Sequence, residues 1–231
     1  MLDQLKADVC AANLALRDSG LVILTWGNVS GLDPENGLVA IKPSGVSYEA
    51  MQPEQMVIVD LKGDIVEGDL RPSSDTPTHL ELYRAFPAIR GVAHTHSAYA
   101  TAWAQARRAL PCYGTTHADS FYGSVPVTAD LTPEALAGDY ELETGRAIVA
   151  AFAGLDPLQI PAVLVAGHGP FTWGTSPARA VENSIILEQV AQMALATESL
   201  DPNAGPISQA LLDRHFLRKH GKDAYYGQGN R

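Results

Sequence analysis

The sequence predicts one α/β domain of the α+β kind, with a central, mostly antiparallel β-sheet flanked by helices. Short apolar runs of strand length mix with longer amphipathic stretches, without the strict alternation of a parallel βαβ sheet. Gly, Pro and Asp clusters punctuate those runs at turn spacing. The 231 residues are 46% hydrophobic and 18% charged, enough for one large core and too apolar for a disordered chain. No linker, internal repeat or low-complexity tract divides them, so residues 1–231 read as a single domain.

Leu2, Leu5, Val9, Ala12 and Leu16 recur at helical spacing, and Gly20 ends the helix they define. The runs Leu21–Leu24, Leu38–Ile41 and Met56–Leu61 read as strands, with Lys62-Gly63-Asp64 as the hairpin turn into Ile65–Glu67. The Ser-Ser-Asp-Thr-Pro stretch at 73–77 opens a helix over Thr78–Ala85, with Asp75 close to its N-cap. Gly91–His96 is expected as a strand, Ala98–Arg107 as a helix and Ser124–Val127 as a short strand. Tyr140–Phe152 is expected as a helix and Ala162–Ala166 as a buried strand. Ser176 caps a long helix from Pro177 to about Glu198, and Ile207–Lys219 is the last helix.

Charge and cysteine usage narrow the function classes. Acidic side chains outnumber basic ones 26 to 16, a net charge of −10, which makes nucleic acid and anionic membranes poor partners. The first residues lack the basic and apolar regions of a secretory signal, and no apolar run approaches the ~20 residues of a membrane span. Cys10 and Cys112 are too few for a disulfide scaffold and lack CxxC spacing. Free thiols in a reducing cytoplasm are the expected state.

Metal chemistry is suggested by His94-Thr95-His96. On a strand, side chains two apart share a face, so both imidazoles can reach one ion. Alone this is a weak signal, because paired histidines on a sheet face are common. Two features strengthen it. The strand at 162–166 runs into Gly167-His168-Gly169-Pro170, where flanking glycines leave His168 free to swing over the sheet edge. Asp75 adds a hard oxygen donor just before the strand that carries the histidine pair, although a plain helix N-cap explains it equally well. Three imidazoles and a carboxylate suit zinc and tolerate manganese, cobalt or nickel. His79 is expected on a helix surface, and His220 near a helix C-terminus. His117 and His215 are not expected as ligands.

Three segments are rich in Gly, Ser, Thr and Asn: residues 25–30, 42–45 and 72–74. Each reads alone as an ordinary loop, yet small hydroxyls and turn N–H groups also make nests for phosphate. Ser73 and Ser74 precede a helix, whose N-terminus favours an anion, and Lys42 offers a point charge. No GxxxxGK[ST] motif is present, which argues against nucleotide hydrolysis.

With these residues in view, the chain resembles the class II, metal-dependent aldolase/epimerase family over essentially its whole length. The resemblance rests on TWGNVSG (25–31), IKPSGV (41–46), RPSSDTPTHLELYRAFP (71–87), HTHSAYATAWAQA (94–106), GTTHADSFYG (114–123), GHGPFTWG (167–174) and LLDRHFLRKHGKDAYYGQ (211–228). It implies a class II aldolase-like fold, with Asp75, His94, His96 and His168 as zinc ligands. It implies phosphate and substrate contacts at Gly27, Asn28, Ser44, Gly45, Ser73 and Ser74, and an acid/base pair in Asp119 and Tyr226. The tail and the THAD segment fit the epimerase branch, which implies interconversion of L-ribulose 5-phosphate and D-xylulose 5-phosphate by cleavage and remaking of C3–C4. Asp and Tyr have reference pKa values of about 3.9 and 10, so both must shift toward neutrality to exchange protons near pH 7. Without the resemblance, Asp119 reads as a loop-stabilising carboxylate and Tyr226 as a docking aromatic. A homotetramer with sites between subunits is also implied. One departure stands out: Ala166 and Gly167 occupy positions before the third histidine that are usually polar in the epimerases. The rival readings are an aldolase that releases its fragments, a zinc hydrolase, and a metal-bound interaction module without catalysis.

Overall fold

The structure, a computed structural model, describes residues 2–222, 224 and 225. In chain order it runs α1 (Leu2–Asp18), β1 (Asn28–Asp33), β2 (Leu38–Ile41), β3 (Val57–Asp60), β4 (Ile65–Glu67), α2 (Thr76–Ala85), β5 (Gly91–His94) and α3 (Ala98–Gln105). There follow α4 (Thr115–Ala118), α5 (Pro133–Ala137), α6 (Tyr140–Ala151), β6 (Ala162–Val165), β7 (Gly169–Gly174), α7 (Pro177–Leu200) and α8 (Gln209–His220). The strands form one seven-stranded sheet in the order β4-β3-β2-β1-β5-β7-β6, and every neighbouring pair is antiparallel. Among the described residues, no helix is long and apolar enough to cross a membrane.

Alternation along the strands divides the core. Val39, Ile41, Val57, Val59 and Val92 point to one face, where they join Leu80, Leu82 and Tyr83 of α2 and Ile148 of α6. The intervening Ala40, Ile58 and Ala93 point to the other, against Val9, Cys10, Ala12 and Leu16 of α1 and Ala180 and Val181 of α7. Ser176 caps α7 as expected, its hydroxyl accepting from Arg179 N at 3.1 Å. Cys10 and Cys112 are both buried free thiols.

Several expectations need correction. Leu21–Leu24 forms no strand: Leu21 is buried with Leu16 and Val29, Leu24 has φ 58°, and Ile23 and Leu24 are exposed, so the run is a loop that leaves the core for the surface. Ser124–Val127 contributes only single bridges, Val125 to Leu110 and Val127 to Leu164. The second half of the loop read at 25–30 is instead the start of β1, and β7 follows His168 directly.

His79 is not on a surface. With Thr76 and Tyr83 it forms the stripe of α2 that lies on the sheet, and it is fully buried. Its Nδ1 lies 2.7 Å from Ser30 Oγ, which lies 2.8 Å from Tyr83 Oη. Burial pushes His79 down to about 3. Burial also pushes His117 down to about 4, outweighing its hydrogen bond to Gly123 O. The unfolded chain protonates these imidazoles near their usual 6.5 while the folded chain does not. The unfolded state therefore holds more protons below that pH, and stability rises with pH across the window. Each such histidine adds a slope of about 1.4 kcal/mol per pH unit. Melts of the metal-free protein should show Tm falling as the pH drops from 6.5 toward about 4, and His117→Gln should flatten the fall. An unaltered slope in that variant would contradict the assignment.

Candidate metal centre and substrate cleft

Three adjacent strands build the centre. Register places Asn28 of β1 opposite His94 of β5, and His94 opposite Phe171 of β7. The His94 ring stacks on Phe171 at 4.2 Å and 18°. Its Nδ1 lies 3.0 Å from Pro170 O, a carbonyl that can only accept, so Nδ1 carries the proton and Nε2 is a bare donor. The strand ends at His94, two residues short of the expected end, and His96 stands in the following loop. Even so, His96 Nε2 lies 3.0 Å from His94 Nε2. Donors at 2.0–2.1 Å around one ion stand about 2.9–3.4 Å apart, so this spacing fits a shared ion. His168, in the turn before β7, completes the group: one donor nitrogen from each of the three rings lies within 4.8 Å of the others.

Burial lowers all three imidazoles, His94 to about 4, so they are neutral near pH 7. Metal binding needs that form. Gly27 permits the close approach behind them. Its φ is +75°, and a Cβ there would stand 2.7 Å from Val22 Cγ1 and 2.8 Å from His94 O.

Asp75 is the N-cap residue of α2, but its side chain makes no capping hydrogen bond. Instead its Oδ2 accepts from Asn28 Nδ2 at 2.6 Å, and the same amide donates to Ser73 Oγ at 3.0 Å. Burial pushes the Asp75 carboxyl up, but His94, His79 and the Asn28 hydrogen bond outweigh it and hold the group below its usual value. Of the four residues expected as ligands, the three histidines meet as a compact donor group. Asp75 stands beside them, its carboxylate engaged by Asn28.

The histidines and Asp75 line a cleft of about 430 Å³ with Gly27, Asn28, Lys42, Ser44, Gly45, Ser73 and Ser74. Backbone bonds join two of the loops: Ser44 N donates to Arg71 O and Ser73 N to Lys42 O, at 2.9 and 3.0 Å. Lys42 is only 2% exposed; its Nζ lies over the Tyr48 ring at 5.0 Å, and burial lowers its pKa. Asn28 Oδ1 is buried without a partner among the described residues, an acceptor suited to a ligand hydroxyl. A groove of about 350 Å³ beside α7 is lined by Val190, Met193, Leu200, Tyr113, Thr116 and His117, and holds no group of three His, Cys, Asp or Glu donors among the described residues.

Sequence reasoning missed two residues that line the cleft, Tyr140 and Glu141. Both open α6, far along the chain from every motif. Only their place at a helix start, where polar side chains can face a site, could have marked them.

Asp119 does not line this cleft. It is the C-cap of α4, facing α8. Arg218 Nη2 reaches both its oxygens at 2.9 Å, His215 Nδ1 lies at 3.0 Å and Lys219 Nζ at 3.2 Å. Burial pushes the carboxyl up, but these partners outweigh it and lower the pKa, opposite to the upward shift expected of a base. Tyr226 lies outside the described residues.

The profile for the class II aldolase and adducin N-terminal domain matches residues 7–195. The chain belongs to that family. Among solved structures, this class II aldolase-family chain is similar to an L-fuculose 1-phosphate aldolase at 24% identity, over 94% of this chain and 96% of that one, with a TM-score of 0.77. It is similar to YgbL of Klebsiella pneumoniae, described as a candidate aldolase/epimerase/decarboxylase, at 25% identity over 93% and 98%, with a TM-score of 0.74. The L-fuculose-1-phosphate aldolase of Thermus thermophilus is 26% identical over 87% and 99%, with a TM-score of 0.68. Family membership supports metal-dependent aldol- or epimerase-type chemistry, and the sheet with its flanking helices matches the class II aldolase fold.

His96→Asn removes one of three converging donors. Elemental analysis after dialysis should show metal falling from about one ion per chain to a small fraction, with far-UV circular dichroism unaltered. Full retention would remove His96 from the ligand set.

Proposed function

We propose that the protein is a zinc-dependent 4-epimerase that interconverts L-ribulose 5-phosphate and D-xylulose 5-phosphate. The supporting observation is one cleft in which three neutral imidazoles meet loops rich in hydroxyl and N–H groups. Ser44, Gly45, Ser73 and Ser74 hold the phosphate, helped by the N-terminus of α2 and by the Lys42 ammonium. Asn28 orients the sugar through its open acceptor. His94, His96 and His168, with Asp75 as a displaceable oxygen donor, would hold a divalent ion, which would supply Lewis-acid stabilisation of the negative charge that develops on the sugar oxygens when C3–C4 breaks. Manganese, cobalt or nickel can take the place of zinc in such a site.

Asp119 and Tyr226 then take and return the C4 hydroxyl proton on opposite faces of the aldehyde fragment. The phosphate loops retain that fragment while its face turns over. Because Asp119 lies away from the cleft of its own chain, it serves a neighbouring subunit in this reading, and the protein is a homotetramer with shared sites. Exposed Ile23, Leu24 and Trp26 beside the cleft offer apolar surface for such a neighbour. A cytoplasmic location accords with the free Cys10 and Cys112 thiols.

The similarity to L-fuculose 1-phosphate aldolases favours a second reading, an aldolase that releases its fragments. Incubating the metal-loaded protein with L-ribulose 5-phosphate separates the two. D-xylulose 5-phosphate as the only product supports the epimerase, and stoichiometric glycolaldehyde phosphate supports the aldolase. No turnover with metal bound would sink both. Asp119→Asn and Tyr226→Phe should each keep the metal and slow epimerisation at least about 100-fold. Unchanged turnover in either variant would strike that residue from the acid/base pair.

A further inference from the structure

We propose that Tyr140 is a positioning residue that fixes the His168 ring for metal binding; this rests on reading the three-histidine cluster as a metal site. Each imidazole needs something to hold it. His94 is set by its strand, by the Phe171 stack and by Pro170 O. His168 stands in a turn after Gly167, which has φ +70°, so no strand ladder aims its ring. Its own loop offers no polar side chain to help, because Ala166 and Gly167 precede it.

The support comes from another element. Tyr140 Oη lies 3.1 Å from His168 Nδ1, the one hydrogen-bond partner of that ring among the described residues. With Nδ1–H donating to the phenol oxygen, Nε2 is left as the bare donor, the same tautomer that Pro170 imposes on His94. A phenol oxygen can accept a hydrogen bond from Nδ1–H while keeping its own O–H.

The position of Tyr140 is set by how α6 docks on α2. Tyr140 is the first residue of α6, whose start is capped by Asp139 accepting from Leu142 N at 3.2 Å. Thr78 Oγ1 of α2 donates to Glu141 O at 2.6 Å. Further along, a Cβ at Gly145 would stand 2.7 Å from Glu81 Cβ and 3.3 Å from Thr78 Cα, so only glycine allows the two helices this close. Asp75 and Tyr140 thus reach the cleft from one tightly packed pair of helices.

Chelator competition with Co²⁺ on the full-length protein tests the inference. Wild type should bind cobalt, and Tyr140→Phe should bind it about 10–100-fold more weakly, with shifted visible d–d bands and an unaltered melting temperature of the metal-free protein. Gly145→Ala, which pushes α6 outward, should weaken cobalt in the same direction. Imidazole ¹⁵N NMR of the zinc-loaded wild type provides a readout that does not depend on a variant folding: His168 should carry its proton on Nδ1, slow to exchange. Metal on Nδ1 would overturn the proposal. A Tyr140→Phe protein within about twofold of wild type, with the same spectrum, would overturn this inference alone. A wild type that takes up no cobalt would instead overturn the metal reading beneath it.

Discussion

The centre depends on the antiparallel register of β1, β5 and β7. That ladder sets Asn28, His94 and Phe171 in one row across three strands. Side chains alternate with a period of two, so a one-residue slip of β5 would carry His94 to the opposite face, where Ala93 packs against α1 and α7. The hydrophobic pattern forbids the slip. Val92 belongs to the core under α2 and α6, and Ala93 to the core under α1. The same residues that make the sheet fold hold the metal row in place.

Around that row, burial and polarity work together. Low exposure keeps His94 neutral down to about pH 4 and disfavours protonation of His96 and His168, which prepares three lone pairs for a cation. His94 Nε2 and His96 Nε2 stand 3.0 Å apart, close enough to share one proton in the metal-free chain, and an ion between them would take that proton's place. Asp75 supplies the nearby negative charge. Its hydrogen bond to Asn28 links the histidine side of the cleft to the serine loop, because the same amide reaches Ser73. A ligand that disturbs Asn28 therefore disturbs Asp75.

Much of this was legible in the sequence because it is local. The loops at 42–45 and 72–74, the histidine pair and the Gly-His-Gly-Pro turn each carry their meaning in a few adjacent residues, and the fold brings all of them to one cleft. Leu21–Leu24 misled because a short apolar run has no period to distinguish a strand from a surface loop. His79 misled because a polar side chain gives no sign that a buried hydroxyl, Ser30, awaits it from another strand. Tyr140 was invisible because its role is set by α6 docking on α2, a contact between segments some sixty residues apart. The charge state of Asp119 was likewise hidden, since its cations come from α8, about a hundred residues away.

X-ray absorption at the zinc edge of the purified protein tests the metal centre most directly. The account predicts about one zinc per chain, with scatterers at 2.0–2.1 Å and the outer-shell pattern of three imidazoles plus oxygen. A sulfur-dominated shell, or an ion carrying no more than one imidazole, would contradict it.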